Sequence, residues 1–232
     1  MGLNETHGNM YEHITHTWNP IKGKCLHDCS YCYMKRWKKQ KPIRLDEKEL
    51  KTYIYQGLYI FVGSSCDMFA DDIPDEWIKK VLSYIRNFPY TRFLFQSKNP
   101  KRILPFLYPA DTNFIICTTI ETNRIYPSIM GNTPSPKERA AAISNIFYEM
   151  NSHNMKYKVP VHITIEPILD FDIEKFVPML YDTPASQINI GADSCHHHLP
   201  EPSKEKILEL ISRLQKFTEV VCKPNLKRIT GS

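Results

Sequence analysis

The chain has 232 residues, of which 42% are hydrophobic and 24% charged, and it carries a formal net charge of +5. That is enough for one sizeable domain spanning 1–232 and excludes a small peptide module, while the modest charge permits an anionic partner without requiring one. Seven unevenly spaced cysteines argue against a secreted disulfide framework. No apolar run approaches the ~20 residues of a membrane span, and no basic-then-apolar leader is present, so a soluble, cytoplasmic monomer is expected. Gly231-Ser232 reads as a cloning remnant and is set aside.

The first predicted strand is His13–Thr17, leading into a loop over 18–37. That loop holds Cys25, Cys29 and Cys32 in a C-x3-C-x2-C spacing, with Tyr31 just before the last cysteine. Three thiolates on one short loop suit three irons of a 4Fe–4S cluster and leave the fourth iron open to bind a small molecule. Zinc is the rival, but zinc sites usually pair C-x2-C units with a nearby fourth Cys or His, and no second pair exists here. An electron-transfer cluster with a distant fourth ligand also remains open. His27, inside the loop, is expected to be solvated.

The run from Lys35 to Arg44 follows, with six cations (Lys35, Arg36, Lys38, Lys39, Lys41 and Arg44), no acid, and Trp37. Three readings stay open. It could track nucleic-acid phosphates with Trp37 stacking on a base. It could dock an acidic flavodoxin or ferredoxin that delivers electrons. It could be a solvated face.

Further strands are predicted at Leu58–Val62, Arg92–Gln96, Phe114–Thr119, Val161–Ile165 and Gln187–Ile190, with a short last one at Glu219–Lys223. Several are near-continuous apolar runs, as in a parallel sheet covered on both faces. Helices are expected after Pro74, with Trp77, Val81 and Ile85 on one face, and after Asn99-Pro100. Another should start at Ser135-Pro136-Lys137-Glu138, a capping box, and one at Ser203, with Ile207, Leu210, Ile211 and Leu214 inward. Strand then helix, repeated about six times, means right-handed βαβ units. Periodicity alone leaves a barrel and a doubly wound open sheet as equal rivals.

The cysteine loop resembles the signature of the radical SAM superfamily, whose open iron chelates S-adenosylmethionine (SAM). The resemblance implies an α/β fold, a partial (β/α)6 barrel with the cluster loop after its first strand. It implies a 4Fe–4S cluster and SAM as cofactors, and an electron donor of flavodoxin or ferredoxin type. Tyr31 would lie beside the adenine. The family's Gly-Gly-Glu-like stretch, which binds the methionine amino group, is replaced here by Gly63-Ser64-Ser65-Cys66-Asp67. Ser65 or Asp67 could supply the acceptor, or the stretch is a plain turn with a capping aspartate. Thr119 and Glu121 would meet the ribose hydroxyls, and Arg139 the methionine carboxylate, unless Arg139 is a solvated helix residue. Glu166 and Asp193, at later strand ends, would reach substrate or the adenosyl group.

A closer resemblance, to short phage-associated radical SAM proteins, rests on Thr15–Pro20, Asp67-Met68-Phe69, Ile73-Pro74-Asp75, Gln96–Pro100 and Ile165-Glu166-Pro167. Some phage radical SAM proteins are implicated in modifying DNA bases, and the spore photoproduct lyases are DNA-acting relatives in a wider sense. Cys66 and Cys195 follow strands and could hand a hydrogen atom to a product radical; the plainer reading is small buried residues. Cys117 and Cys222 are scattered, so a second cluster is not expected. His196-His197-His198 reads as an exposed loop without carboxylate partners. The leading expectation is a radical SAM enzyme acting on a nucleic-acid base or nucleotide. A peptide or small-metabolite enzyme, or a non-catalytic iron–sulfur or zinc module, are the rivals.

Overall fold

The computed structural model describes residues 2–37, 39–107, 113–152 and 159–231; Lys38 of the basic run lies outside them. Its main sheet contains β1 (Asn4–Glu5), β2 (His16–Trp18), β5 (Tyr59–Val62), β6 (Arg92–Ser97), β7 (Phe114–Thr119), β8 (Val161–Ile165), β9 (Gln187–Ile190) and β10 (Glu219–Cys222). A separate antiparallel pair is formed by β3 (Ile21–Lys22) and β4 (Arg44–Leu45).

In the main sheet the strands stand in chain order, β1-β2-β5-β6-β7-β8-β9-β10, and every pair from β2 to β10 is parallel. A doubly wound sheet reverses its strand order at a switch point. Here the order never reverses, so the architecture is a partial α/β barrel. The helices are α1 (Asp75–Ile85), α2 (Pro127–Met130), α3 (Pro136–Ser152), α4 (Ile173–Tyr181), α5 (Lys204–Leu214) and α6 (Lys227–Thr230). No described helix is long and apolar enough to cross a membrane.

Local signals account for most of these elements. Ser135 and Glu138 form a reciprocal capping box, Ser135 N–H to Glu138 Oε2 at 2.8 Å and Glu138 N–H to Ser135 Oγ at 3.3 Å. Ser203 Oγ accepts from Lys206 N–H at 3.3 Å, and Ile207, Leu210 and Leu214 are buried while Ile211 is partly so. Val81 and Ile85 of α1 are buried and Trp77 packs at their margin. Each such apolar side chain stabilises the fold by roughly 1.5–3 kcal/mol on full burial.

Three expectations change. The first strand begins at His16 rather than His13, because the chain before it turns into the barrel. There Tyr11 and Ile14 pack on Leu94, Ile115 and Cys117. After Asn99 only two short 3-10 turns form, Pro100–Arg102 and Leu104–Phe106, since Pro105 lacks the N–H that a continued α-helix needs. Helix α4 was not expected; Pro178 lies within it and masks the helical pattern.

Candidate functional site

At the carboxyl ends of the parallel strands lies a cavity of about 910 Å³. In a parallel barrel this is where loops converge and reactive side chains gather. Cys25, Cys29 and Cys32 all line it, as do Tyr31, Ser65, Cys66, Asp67, Thr119, Glu166, Asp193 and Cys195. Glu121 and Arg139 do not line it.

The cysteine loop is held from two sides. Behind it, Gly23 has φ +126°, and a Cβ there would sit 2.5 Å from the Pro42 carbonyl oxygen. Lys24 N–H donates to Lys41 O at 2.9 Å, next to the β3–β4 pair. In front, the end of α2 and the two residues after it clamp the loop. Ser30 N–H donates to Ile129 O at 2.9 Å, Asn132 N–H to His27 O at 2.7 Å, and Asn132 Nδ2 to Leu26 O at 3.0 Å. Gly131 has φ +63°, and a Cβ on it would collide with the His27 carbonyl. Only glycine allows this approach without strain.

His27 is buried, not solvated: its Nε2 lies 2.8 Å from Asp67 Oδ2. Asp67 also accepts from Phe69 N–H at 2.9 Å, Ser97 Oγ–H at 3.0 Å and Lys98 N–H at 2.8 Å. Burial opposes its charge, yet the His27 hydrogen bond and charge hold its carboxyl below the usual range. Asp67 therefore fastens the cysteine loop to the ends of β5 and β6, with both oxygens engaged. Beside it, Ser65 donates through N–H (2.8 Å) and Oγ–H (2.9 Å) to Asn19 Oδ1. The Ser65 oxygen keeps lone pairs that a ligand ammonium can use.

Tyr31, Glu121 and Arg139 form a second buried unit. The Tyr31 hydroxyl donates to Glu121 Oε1, and Arg139 Nη2 makes an ion contact at 2.8 Å with Glu121 Oε2, without hydrogen-bond alignment. Arg139 Nη1 donates to the Thr119 carbonyl at 2.5 Å. Both charged side chains are fully buried, so Arg139 is not a solvated helix residue. Burial opposes the Glu121 charge, but Arg139 and Lys98 hold its carboxyl below the usual range. Burial and the Glu121 charge raise Tyr31 well above the ordinary phenol value, so it remains a donor.

On the opposite wall, Glu166 Oε1 accepts from Asn9 Nδ2 at 2.6 Å and Asn225 Nδ2 at 2.8 Å, and Oε2 from Lys223 Nζ at 2.5 Å. Gly191 lets Glu166 approach; a Cβ there would lie 2.8 Å from its Cδ. Asp193 accepts from Cys195 N–H at 3.0 Å and pairs with His197 Nδ1 at 2.7 Å. The histidine tract thus has a carboxylate partner that the sequence did not reveal. Of the two cysteines after strands, Cys66 is buried and lines the cavity with Cys25, and Cys195 is exposed on the same cavity. Cys117 is buried in the barrel and Cys222 is exposed.

Sequence reasoning missed Lys98. It follows β6 directly, and its Nζ lies 5.3 Å from the Tyr31 ring centroid. Burial opposes its charge, but Cys29 and Glu121 raise its value above that of an ordinary lysine. No carboxylate pairs with Nζ among the described residues. Asn9, Tyr11, Lys223 and Asn225 were missed as well. For Lys98 and Lys223 the available signal was position alone, one at or just past each strand's carboxyl end.

The donor set fits a 4Fe–4S cluster. Three free thiols on one loop face one cavity, with the Cys66 thiol on its lining beside them. Among the described residues no three His, Cys, Asp or Glu side chains converge on a point for a single metal ion. Cluster thiolates bind separate irons and need no such point.

A family described as "Protein of unknown function (DUF5131)" matches residues 9–170. No curated protein matches the chain. Solved structures of spore photoproduct lyase share its fold. A cysteine-to-serine mutant superposes with a TM-score of 0.63 at 14% identity, over 94% of this chain and 79% of that one. A cysteine-to-alanine mutant gives 0.64 at 14%, over 95% and 80%. A double mutant "with bound AdoMet and dinucleoside spore photoproduct" gives 0.58 at 14%, over 93% and 66%.

Proposed function

The chain belongs to the DUF5131 family, whose description assigns no chemistry, and from the geometry of its site we propose that it is a radical SAM enzyme acting on a nucleic-acid base or nucleotide. The observation that carries this is the set of three free loop thiols, Cys25, Cys29 and Cys32, on a cavity walled by polar groups from later strand ends. Held by Cys25, Cys29 and Cys32, a 4Fe–4S cluster would supply one-electron reductive cleavage of SAM, and with it hydrogen abstraction from the substrate, the electron coming from an external flavodoxin- or ferredoxin-type donor.

The chain's own groups bind and orient. The three cysteines would hold three irons, so that a fourth would be left without a protein thiolate and open to SAM. Ser65 Oγ accepts from the ammonium, and Lys98, beside Cys29 and Cys32, faces the carboxylate. Thr119 and Tyr31 flank the adenosyl group, and Glu121 fixes Tyr31 from behind. Glu166 and Asp193, held by Lys223, Asn9, Asn225 and His197, shape the opposite wall for the substrate. Cys195 and Cys66 are the thiols from which a product radical could regain hydrogen. Of the two, Cys195 lies apart from the cluster loop and suits this better.

The nucleic-acid part draws support from the cations at the cavity rim and from the likeness to phage-associated radical SAM proteins. A fold neighbour described with AdoMet and a dinucleoside points the same way. Anaerobic reconstitution should give about four irons per chain, lost when Cys25, Cys29 and Cys32 become alanine. The loaded protein with a chemical reductant should form 5′-deoxyadenosine, and deuterium from a labelled nucleic-acid substrate should appear in it. Stoichiometric zinc without iron uptake would defeat the enzyme reading. Deuterium arriving only from a peptide or metabolite would defeat the substrate.

A further inference from the structure

A second cavity, of about 390 Å³, lies behind the cysteine loop and shares Met34, Trp37, Lys39, Gln40 and Ser65 with the first. The two cavities therefore adjoin at these residues, among them Trp37, which is 61% exposed. Lys24 and Arg36 line the first cavity, Lys41 and Arg44 the second, and Lys39 both. None of these five cations makes an ion pair among the described residues. The Arg36 guanidinium stands over the rings of Tyr33 and Trp37, 5.3 and 5.8 Å from their centroids.

A merely solvated charge run would neither hold a large exposed indole between cations nor bridge two concavities. We propose that this surface is a track for single-stranded nucleic acid. The strand's backbone follows Lys24, Lys39, Lys41 and Arg44, one base stacks on Trp37, a neighbouring base enters the first cavity, and the flank occupies the second. Unpaired cations supply sequence-independent phosphate attraction, and an exposed aromatic face supplies stacking open to any base. A single strand fits better than a duplex because chemistry at the floor of a cavity needs a base that is out of its stack. An acidic protein donor would match the charge but would leave the second cavity and the Trp37 face unused.

The track deepens the proposed function and rests on it for the identity of the reacting base, but its test needs no turnover. The probe is a single-stranded oligonucleotide of about 12 nucleotides, within the site sizes of such grooves. It should quench tryptophan fluorescence on binding, and affinity should fall steeply with salt. Trp37→Leu should remove most of the quench and weaken binding by about tenfold or more. Lys39→Glu with Arg44→Glu should weaken it by at least about tenfold, with an unchanged circular-dichroism melt. Lys79→Glu with Lys175→Glu carries the same charge change on α1 and α4, away from both cavities, and should have little effect.

Binding insensitive to salt, duplex bound as tightly as single strand, or equal losses in the two double variants would each overturn the track. So would a Lys39/Arg44 variant that loses only an acidic flavodoxin. SAM cleavage measured in parallel separates the two readings: binding without cleavage faults the enzyme, and cleavage without binding faults the track.

Discussion

Tyr31, inside the cysteine loop, donates its phenolic hydrogen to Glu121, just beyond β7, and that carboxylate lies fully buried against Arg139. The contact ties the loop to the barrel wall through a charged pair that water does not reach. Removing one member of such a pair strands the other charge.

Glu121→Ala should therefore destabilise the fold by about 3–5 kcal/mol, by leaving Arg139 buried and unpaired. Replacing both, Glu121→Leu with Arg139→Met, should recover much of the loss. Urea denaturation of the two variants decides it; equal stability of Glu121→Ala and the parent would show that the pair is not buried as described.

Gly131 gives an independent check on the loop. Its φ of +63° and its contact with the His27 carbonyl leave no room for a Cβ. Gly131→Ala should cost about 1–3 kcal/mol in backbone strain and displaced contacts. It should also lower the iron retained after anaerobic reconstitution, because the clamp on residues 26–30 loosens. Full iron content and unchanged urea stability would remove the clamp from the account.

Much of the frame was legible because its signals are local. Phe114–Thr119 and Val161–Ile165 read as strands because they are short segments rich in apolar and β-branched residues, all of them buried in the structure. The cysteines read from spacing. What failed to read depends on partners far along the chain. His27 looks like a solvated loop residue until Asp67, 40 residues later, receives it. Arg139 looks like any helix arginine until Glu121 meets it in the interior. Asn9 and Tyr11 carry no local signal, because only the folded barrel brings them to Glu166, Gln96 and Thr164. Helix α4 was hidden by Pro178.

His162 should give the fold a pH dependence. It sits inside the barrel, 6.1 Å from the His13 ring, and burial lowers it from 6.5 to about 4. A histidine with a lowered folded value binds fewer protons when folded than when unfolded. Its contribution is complete above about pH 6.5 and is lost as pH falls toward about 4, amounting to at most about 3 kcal/mol. Burial lowers His13 too, in the same direction. His162→Phe should flatten the decline in urea stability between those pH values. A decline as steep as the parent's would place its origin elsewhere.

Lys98 offers the sharpest test of how SAM would be held. Its ammonium stands over Tyr31, between the cysteine loop and the end of β6, and its value is raised by Cys29 and Glu121 despite burial. Its backbone N–H is already committed to Asp67, so the strand end is fixed and only the side chain is free to act. A carboxylate arriving at the open iron would find there a cation without a carboxylate partner among the described residues. A charge-assisted hydrogen bond of that kind contributes about 1.5–3 kcal/mol, or roughly 10- to 150-fold in affinity. Lys98→Met keeps much of the stem's packing and removes the charge. It should weaken SAM binding by that factor in anaerobic equilibrium dialysis while the iron content stays at the parent's level, because the thiols are untouched. Parent-like SAM affinity in Lys98→Met would remove the lysine from the SAM site, and loss of iron would show that its charge supports the thiolates instead.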